Sequence, residues 1–273
     1  MSIKNYLSIF TLVLFLASCK EKKTEEFNKN ISSDLEVDHF NIWVKNPQKA
    51  KQKLIDIGFT AIPDSLSAVH HGQGTSGRYF YFLNTYLEFI FVYNQKEFEV
   101  NNSKNKDLDF SERANFNKNG ASPFSIALKV KEYKVDKIPF RKIQYHQSWM
   151  ENDRSIYAAK NSKTHLKEPS IFVVYPKMQY DVFETLRDLK KIPEEYALWR
   201  EFYKHKNGAK KVTRIVITSK DVDLSTETMK TVHGIENIII KNGSSYVMEL
   251  FFDNATQQKT FDLRPELPLL IHL

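Results

Sequence analysis

The sequence predicts an α+β protein assembled from β-α-β-β-β modules, and three stretches predict it. Residues 37–93 read as a strand, a helix and three short strands. Residues 123–176 repeat that order less regularly. Residues 211–262 repeat it once more, after a helical passage. The expected architecture is therefore a pair of modules, a helical segment and a third, C-terminal βαβββ-like module. Two-residue and 3.6-residue apolar periods separate the strands from the helices.

In the first module, residues 38–44 alternate His39, Asn41 and Trp43 with Phe40, Ile42 and Val44, as a strand does. Asn46 suits an N-cap and Pro47 the first helical position. Ala50, Leu54 and Ile57 then share one face of a short helix, and Gly58 suits its end. Three β-rich runs follow at residues 60–69, 78–83 and 86–93. Asn84 and Thr85 have hairpin-turn length between the last two, although the usual Gly is missing.

Residues 94–122 are polar and charged but contain Phe98, Leu108 and Phe110, and they are long enough to cover something. A lid and a solvated linker both remain open for them. The second module begins at Pro123 with a strand at 124–130. Short β-like runs follow at 142–149 and 155–159, then a buried strand at 170–175 closed by Pro176. Its helix is degenerate, because residues 132–139 are few and end in Pro139.

The chain then turns helical. Val182, Phe183, Leu186 and Leu189 form one apolar face. Pro193 opens a second helix with Glu194 and Glu195 in its first turn. Tyr196, Trp199 and Tyr203, with Leu198 and Phe202, give that helix an aromatic stripe, read as core packing. Asn207 and Gly208 end it. The last stretch supplies a strand at 211–218, a short helix at 225–232 ended by Gly234, and strands at 235–240, 246–253 and 259–262. The apolar tail at 267–273 is expected to dock, since a free apolar end is a liability.

The first module resembles the glyoxalase-like, or vicinal oxygen chelate (VOC), superfamily. The resemblance is carried by Asp38 and His39 opening the first strand, by the passage to Gly58 and Phe59, by Gly74 and Thr75 after the histidines, and by Tyr86, Leu87 and Glu88 opening the last strand. It implies two modules side by side around a U-shaped, sheet-lined cleft, with a metal held by His and Glu from the modules' first and last strands. His39 and Glu88 stand at the matching positions, and both residue types bind divalent ions. The second-module positions, near Phe124 and Ser125 and at Ser170, offer no strong ligand. A catalytic metal normally has three protein ligands, so His70 and His71, side by side at a strand end, are the expected supplement, His71 foremost. His146, His165 and Glu168 could serve only if the fold delivers them. The plainer alternative for His39 is a partly buried strand histidine hydrogen-bonded to Glu88 or Asp38. His70 and Arg78 are candidate ligand contacts, Arg78 because a guanidinium forks onto a carboxylate. A loop pair and a surface ion pair are their ordinary alternatives.

The N-terminal end points to export. Lys4 precedes an apolar run at residues 7–16, too short to span a bilayer comfortably and suited to a signal-peptide core. Leu16, Ala17, Ser18 and Cys19 resemble a bacterial lipoprotein cleavage box, and Cys19 is the single cysteine of the chain. Cys19 is thus the expected lipidation site, carrying acyl chains such as palmitate. The expected division is a lipoprotein signal peptide at 1–18, a flexible tether at 19–36, a glyoxalase-like domain at 37–176 with modules 37–93 and 123–176, and a helical pair plus C-terminal module at 177–273. Residues 20–36 hold many charges and few large apolar groups, the composition of a tether. Lys20 rather than Asp follows Cys19, so the expected location is the cell envelope, lipid-anchored at the outer membrane or cell surface.

Charge and motifs narrow the chemistry. The formal net charge is +7, and loss of the signal removes only Lys4. Lys and Glu are interleaved along the chain, which argues against a nucleic-acid surface. Gly72 and Gly74 lack the Lys-Ser/Thr sequel and helix of a phosphate loop, and no Gly-x-Ser-x-Gly appears. Two functions stay open. One is a tethered protein whose cleft binds a small molecule, with at most a degenerate metal site. The other is a VOC-type metal enzyme, a lyase, isomerase or dioxygenase, whose divalent ion on His39 and Glu88 polarises vicinal oxygens. Neither the ligand nor the oligomeric state is fixed by these residues.

Overall fold

Asn46 caps the first helix as its sequence position suggests: its side chain accepts from the Lys49 amide at 2.9 Å, and Pro47 follows in the first turn. A computed structural model describes residues 34–273. The expected signal peptide, the lipidation site Cys19 and all of the tether before Asp34 lie outside the described residues. Strand β1 (Leu35–Trp43) leads to helix α1 (Pro47–Asp56), which buries Ala50 and Leu54. Gly58 then takes φ +91°, and an added Cβ would meet Asn207 at 3.0 Å, so a glycine suits both the turn and the close approach. Strands β2 (Val69–His70), β3 (Thr75–Tyr81) and β4 (Tyr86–Val92) complete the module. The expected strand at 60–69 shrinks to β2, because Pro63 and a short 3-10 turn at Asp64–Leu66 occupy its middle.

The polar connection is ordered: α2 (Gln95–Lys104), α3 (Phe110–Ala114) and α4 (Phe116–Asn119). Its anchor is Arg113, buried at 1 % exposure. Its guanidinium donates to Asp109 at 2.6 Å and to the carbonyls of Ser122, Ser162, Leu166 and Glu168. The second module follows as β5 (Phe124–Val130), β6 (Lys142–Tyr145), β7 (Ile156–Ala159) and β8 (Ser170–Val173). A 3-10 turn at Val135–Lys137 stands where the first module has α1.

Both modules join in one eight-stranded sheet of order β2-β3-β4-β1-β5-β8-β7-β6. Each module pairs its first strand in parallel with its last, β1 with β4 and β5 with β8. The halves meet where β1 runs antiparallel to β5, with a bulge at Asp38. Far ends of the sheet touch: the Tyr145 hydroxyl donates to Gln73 Oε1 at 3.0 Å, and Trp149 Nε1 to the His71 carbonyl at 2.9 Å. The sheet is therefore curled, with a concave face between its ends.

Residues 176–203 make 3-10 turns rather than the expected α-helical pair, at Leu186–Lys191 and at Glu194–Tyr203, the second kinked at Tyr196. Phe183, Leu189, Phe202 and Tyr203 are buried, whereas Val182, Leu186, Tyr196 and Leu198 are exposed. The expected continuous apolar faces are therefore broken: Leu186 turns out while Leu189 is buried, and the chain bends at Tyr196.

The C-terminal part is a five-stranded sheet of β9 (Val212–Lys220), β10 (Ile238–Gly243), β11 (Val247–Phe252), β12 (Thr260–Asp262) and β13 (Leu269–His272), with helix α5 (Glu227–His233). The strand-helix-strand succession is as expected. Its order, β10-β9-β11-β13-β12, is its own, since β10 pairs in parallel with β9 instead of with the next strand. The apolar tail docks as β13, burying Leu269 and Ile271 completely. One continuous core joins the two sheets, with Phe40, Ile42, Phe89, Ile126 and Ile171 on one side and Ile217, Met248 and Leu250 on the other. That core takes the face of the first sheet opposite His39 and Asn41. No helix among the described residues is long and apolar enough to cross a membrane.

Candidate functional site

The concave face encloses a cavity of about 130 Å³. Strand alternation sets its floor: while Phe40 and Ile42 enter the core, His39 and Asn41 face the cavity from β1, with Tyr86 and Glu88 beside them on β4. Asn41 and Glu88 are register partners. Tyr79, His70 and Gln73 line the side belonging to the first half, and Phe172, Ala158, Ile156 and Tyr145 the side belonging to the second. Leu108 and Phe110 reach in from the connection between the modules, so that segment borders the cleft. A wider groove of about 940 Å³ shares His70, Tyr79, Tyr86, Trp149 and Met178 with the cavity and leads outward past Tyr180 and Tyr196.

His39 is held on both sides. Its Nδ1 lies 2.6 Å from Oδ1 of Asp38, whose second oxygen accepts from the Tyr180 amide at 2.8 Å. Its ring stacks on Tyr86 at 4.3 Å and meets the edge of Phe172 at 5.6 Å. Asp38 is fully buried. A carboxylate already accepting from an amide is an acceptor to His39 as well, so the imidazole proton sits on Nδ1. Nε2 then has no hydrogen-bond partner among the described residues. Of the two ordinary partners expected for a strand histidine here, Asp38 is the one in contact.

Glu88 sits at the end of a chain of donors. The Tyr79 hydroxyl lies 3.2 Å from Oε1, and His70 Nε2 lies 3.1 Å from that hydroxyl and 3.7 Å from Glu88. Thr75 meets His70 Nδ1 at 2.8 Å, and Gln73 donates to Thr75 at 2.7 Å. Burial holds His70 below the usual imidazole range, against the pull of Glu88. Burial, with Glu88 adding to it, pushes the Tyr79 and Tyr86 phenols well up. Both phenols and the imidazole are therefore neutral at pH 7. Gly77 keeps this contact open, since a Cβ there would run into the Tyr79 hydroxyl and Glu88 Oε1.

The fold thus brings His39, His70 and Glu88 to one cavity, and it does not bring His71 or Arg78. His71 is exposed at the strand end and offers only its carbonyl, to Trp149. Arg78 alternates to the opposite face of β3, where it pairs with Asp64 at 3.1 Å and lies over Phe91. His146, His165 and Glu168 also lie outside the cavity lining. Sequence reading passed over Asn41, Tyr79 and Tyr86 as site residues, although alternation with His39 and Glu88 would have placed Asn41 and Tyr86. Gln73 and Tyr145 carried no local signal.

A two-module metal set does not fit these residues. Ser125 and Ser170 are register partners on β5 and β8, as Asn41 and Glu88 are on β1 and β4. Ser125, Ala127, Ser170 and Phe172 thus occupy the second half's inner positions, and the Ser170 hydroxyl is engaged with Asp109 at 3.3 Å. Among the described residues no three of His, Cys, Asp and Glu converge to hold an ion.

A family profile described as "Glyoxalase-like domain" matches residues 37–233. Among solved structures, a hypothetical protein from Staphylococcus aureus aligns over 87 % of this chain and 98 % of its own, at 14 % identity and a TM-score of 0.46. Methylmalonyl-CoA epimerase from Mycobacterium tuberculosis aligns over 52 % of this chain and 89 % of its own, at 10 % identity and a TM-score of 0.32. No curated protein sequence matches the chain.

Proposed function

The chain belongs to the glyoxalase-like domain family, and from that membership we propose that its cleft binds a small molecule without the family's two-module metal set. The protein around it is held at the cell envelope by lipid on Cys19. The observation that carries the binding reading is the two-sided cavity. Hydrogen-bonding groups, His39, Asn41 and Glu88, fill one side, and Phe172, Ala158 and Ile156 the other. Concave sites with an apolar body and a few convergent polar groups are where ligands bind. The alternative, a metal-dependent lyase, isomerase or dioxygenase on His39 and Glu88, lacks donors in the second half, where Ser125 and Ser170 stand. Envelope anchoring rests on the residues around Cys19 alone; radiolabelled fatty acid should enter the wild type and be lost in Cys19→Ala.

The cavity itself is tested by filling it. Ala158 lines the wall of the second half. A panel of single-ring compounds is screened by thermal shift against the wild type and Ala158→Trp. A ligand of the cleft raises the wild-type melting point by mass action and leaves the filled variant unmoved. A panel whose hits shift both proteins equally would sink the reading.

A further inference from the structure

Hydrogen-bond directions across the first half of the cleft all run toward Glu88. Tyr145 donates to Gln73, Gln73 to Thr75, and the Thr75 hydroxyl to His70 Nδ1. Glu88 can only accept, so the Tyr79 proton faces it, the Tyr79 oxygen accepts from His70 Nε2, and His70 Nδ1 is left as the acceptor for Thr75. Glu88 therefore receives neutral donors only. No Lys or Arg lines the cavity, and the one ion-pair partner of Glu88 among the described residues is the neutral His70 at 3.7 Å. Asp38 places a second buried carboxylate behind His39. A carboxylate out of water without a counter-charge is costly, and a cation in the cleft removes that cost.

Asn41 supplies the independent observation. It is 5 % exposed, lines the cavity beside its register partner Glu88, and its buried Oδ1 has no hydrogen-bond partner. With the His39 proton on Nδ1, Nε2 is an acceptor too. Glu88 and His39 thus offer acceptors to one cavity, with the unpartnered Asn41 amide beside them and the rings of Tyr79, Tyr86 and Phe172 as walls. We propose that the cleft takes a protonated organic amine carrying one apolar ring, its ammonium donating to Glu88 and His39. The proposal rests on the reading that the cleft binds a small molecule and names that molecule's class. An ammonium has three or fewer protons to donate and can give them to neutral oxygen and nitrogen acceptors, so it suits a ligand set too weak for a divalent ion. Aromatic faces favour it further. The cavity volume of about 130 Å³ is close to that of an engineered cavity that holds benzene, about 150 Å³.

The full chain, purified in detergent, is titrated by calorimetry with benzylamine, benzyl alcohol and benzoate, which share a ring and differ in head-group charge. Benzylamine should bind at least about tenfold tighter than benzyl alcohol, the increment of a charge-assisted hydrogen bond over a neutral one, and benzoate weakest. Glu88→Gln should remove the preference for benzylamine and leave benzyl alcohol within about twofold. Benzyl alcohol or benzoate binding as tightly as benzylamine overturns the ammonium proposal while leaving a binding cleft. Stoichiometric displacement of benzylamine by zinc does the same, in favour of a metal. Failure of all three probes to bind overturns the proposal together with the reading beneath it. The order of the three probes is read on the unaltered protein, so a Glu88→Gln chain that fails to fold does not blunt the test.

Discussion

The two halves of the curled sheet share strand order and pairing sense but not inner chemistry. The first turns His39, Asn41, Tyr86 and Glu88 inward, and the second turns Ser125, Ala127, Ala158 and Phe172. One backbone plan used twice thus gives a cleft that is polar on one side and apolar on the other. A ligand bridging the two sides is oriented by that difference alone. Symmetry of fold says nothing here about symmetry of site, and a metal shared evenly between the halves would need donors that only one half carries.

The halves are also anchored differently. The second is tied to the connecting helices by Arg113, a buried cation with Asp109 and four carbonyls as partners. The first is tied to the chain after the 3-10 turns by His205, a neutral ring whose Nδ1 accepts from the Thr60 amide and whose Nε2 donates to the Tyr81 carbonyl, both at 3.0 Å.

Breaking the Arg113 anchor is expected to have the largest effect. Arg113→Ala strands Asp109 and the four carbonyls, and loss of one partner of a buried pair costs about 3–5 kcal/mol. Urea denaturation measures it, and a loss under 1 kcal/mol (about the worth of an exposed pair) would show that the clamp is ornamental. The His205 anchor comes next and should respond to acid. Burial lowers its pKa to about 4, against about 6.5 in an unfolded chain. Between those values the unfolded chain binds a proton that the native one does not. Stability is therefore whole above about pH 6.5 and falls as the pH drops toward 4, by up to about 3 kcal/mol. His205→Gln should flatten that slope in pH-dependent melts. Amide exchange of β3 should quicken with acid more than that of β8; equal responses would erase the contrast between the anchors. Tyr79→Phe is the smallest change, removing one neutral donor to Glu88 at a cost of about 1 kcal/mol. It sharpens the contrast inside the cleft, because benzylamine affinity should hold or rise when Glu88 loses a competing donor. A fall would give the hydroxyl a direct part in binding.

How much of this was legible varies by element. The alternation of residues 38–44 placed His39 away from the core face, and Asn46, Pro47 and Gly58 fixed the first helix to within a residue or two, because caps and periods act over a few neighbours. The serine at position 170 already showed a donor missing where the resembled family carries one. By contrast, the run at 60–69 looked like a strand and the aromatic stripe at 196–203 like an α-helix. Pro63 broke the first, and 3-10 winding kinked at Tyr196 took the second.

The sequence by itself determined the β-α-β-β-β order of the first module, the family, and the residues His39, His70 and Glu88 that reach the cavity. All of these depend on residue types within a few positions of each other. Only the tertiary structure decided that Asp38 claims His39, that Arg78 and His71 stay outside, and that Gln73 bonds Tyr145 across the curled sheet. Gln73 and Tyr145 are 72 residues apart in the chain. Such a contact is made by the curl of eight strands packed on a second sheet, and no local period or propensity carries that information.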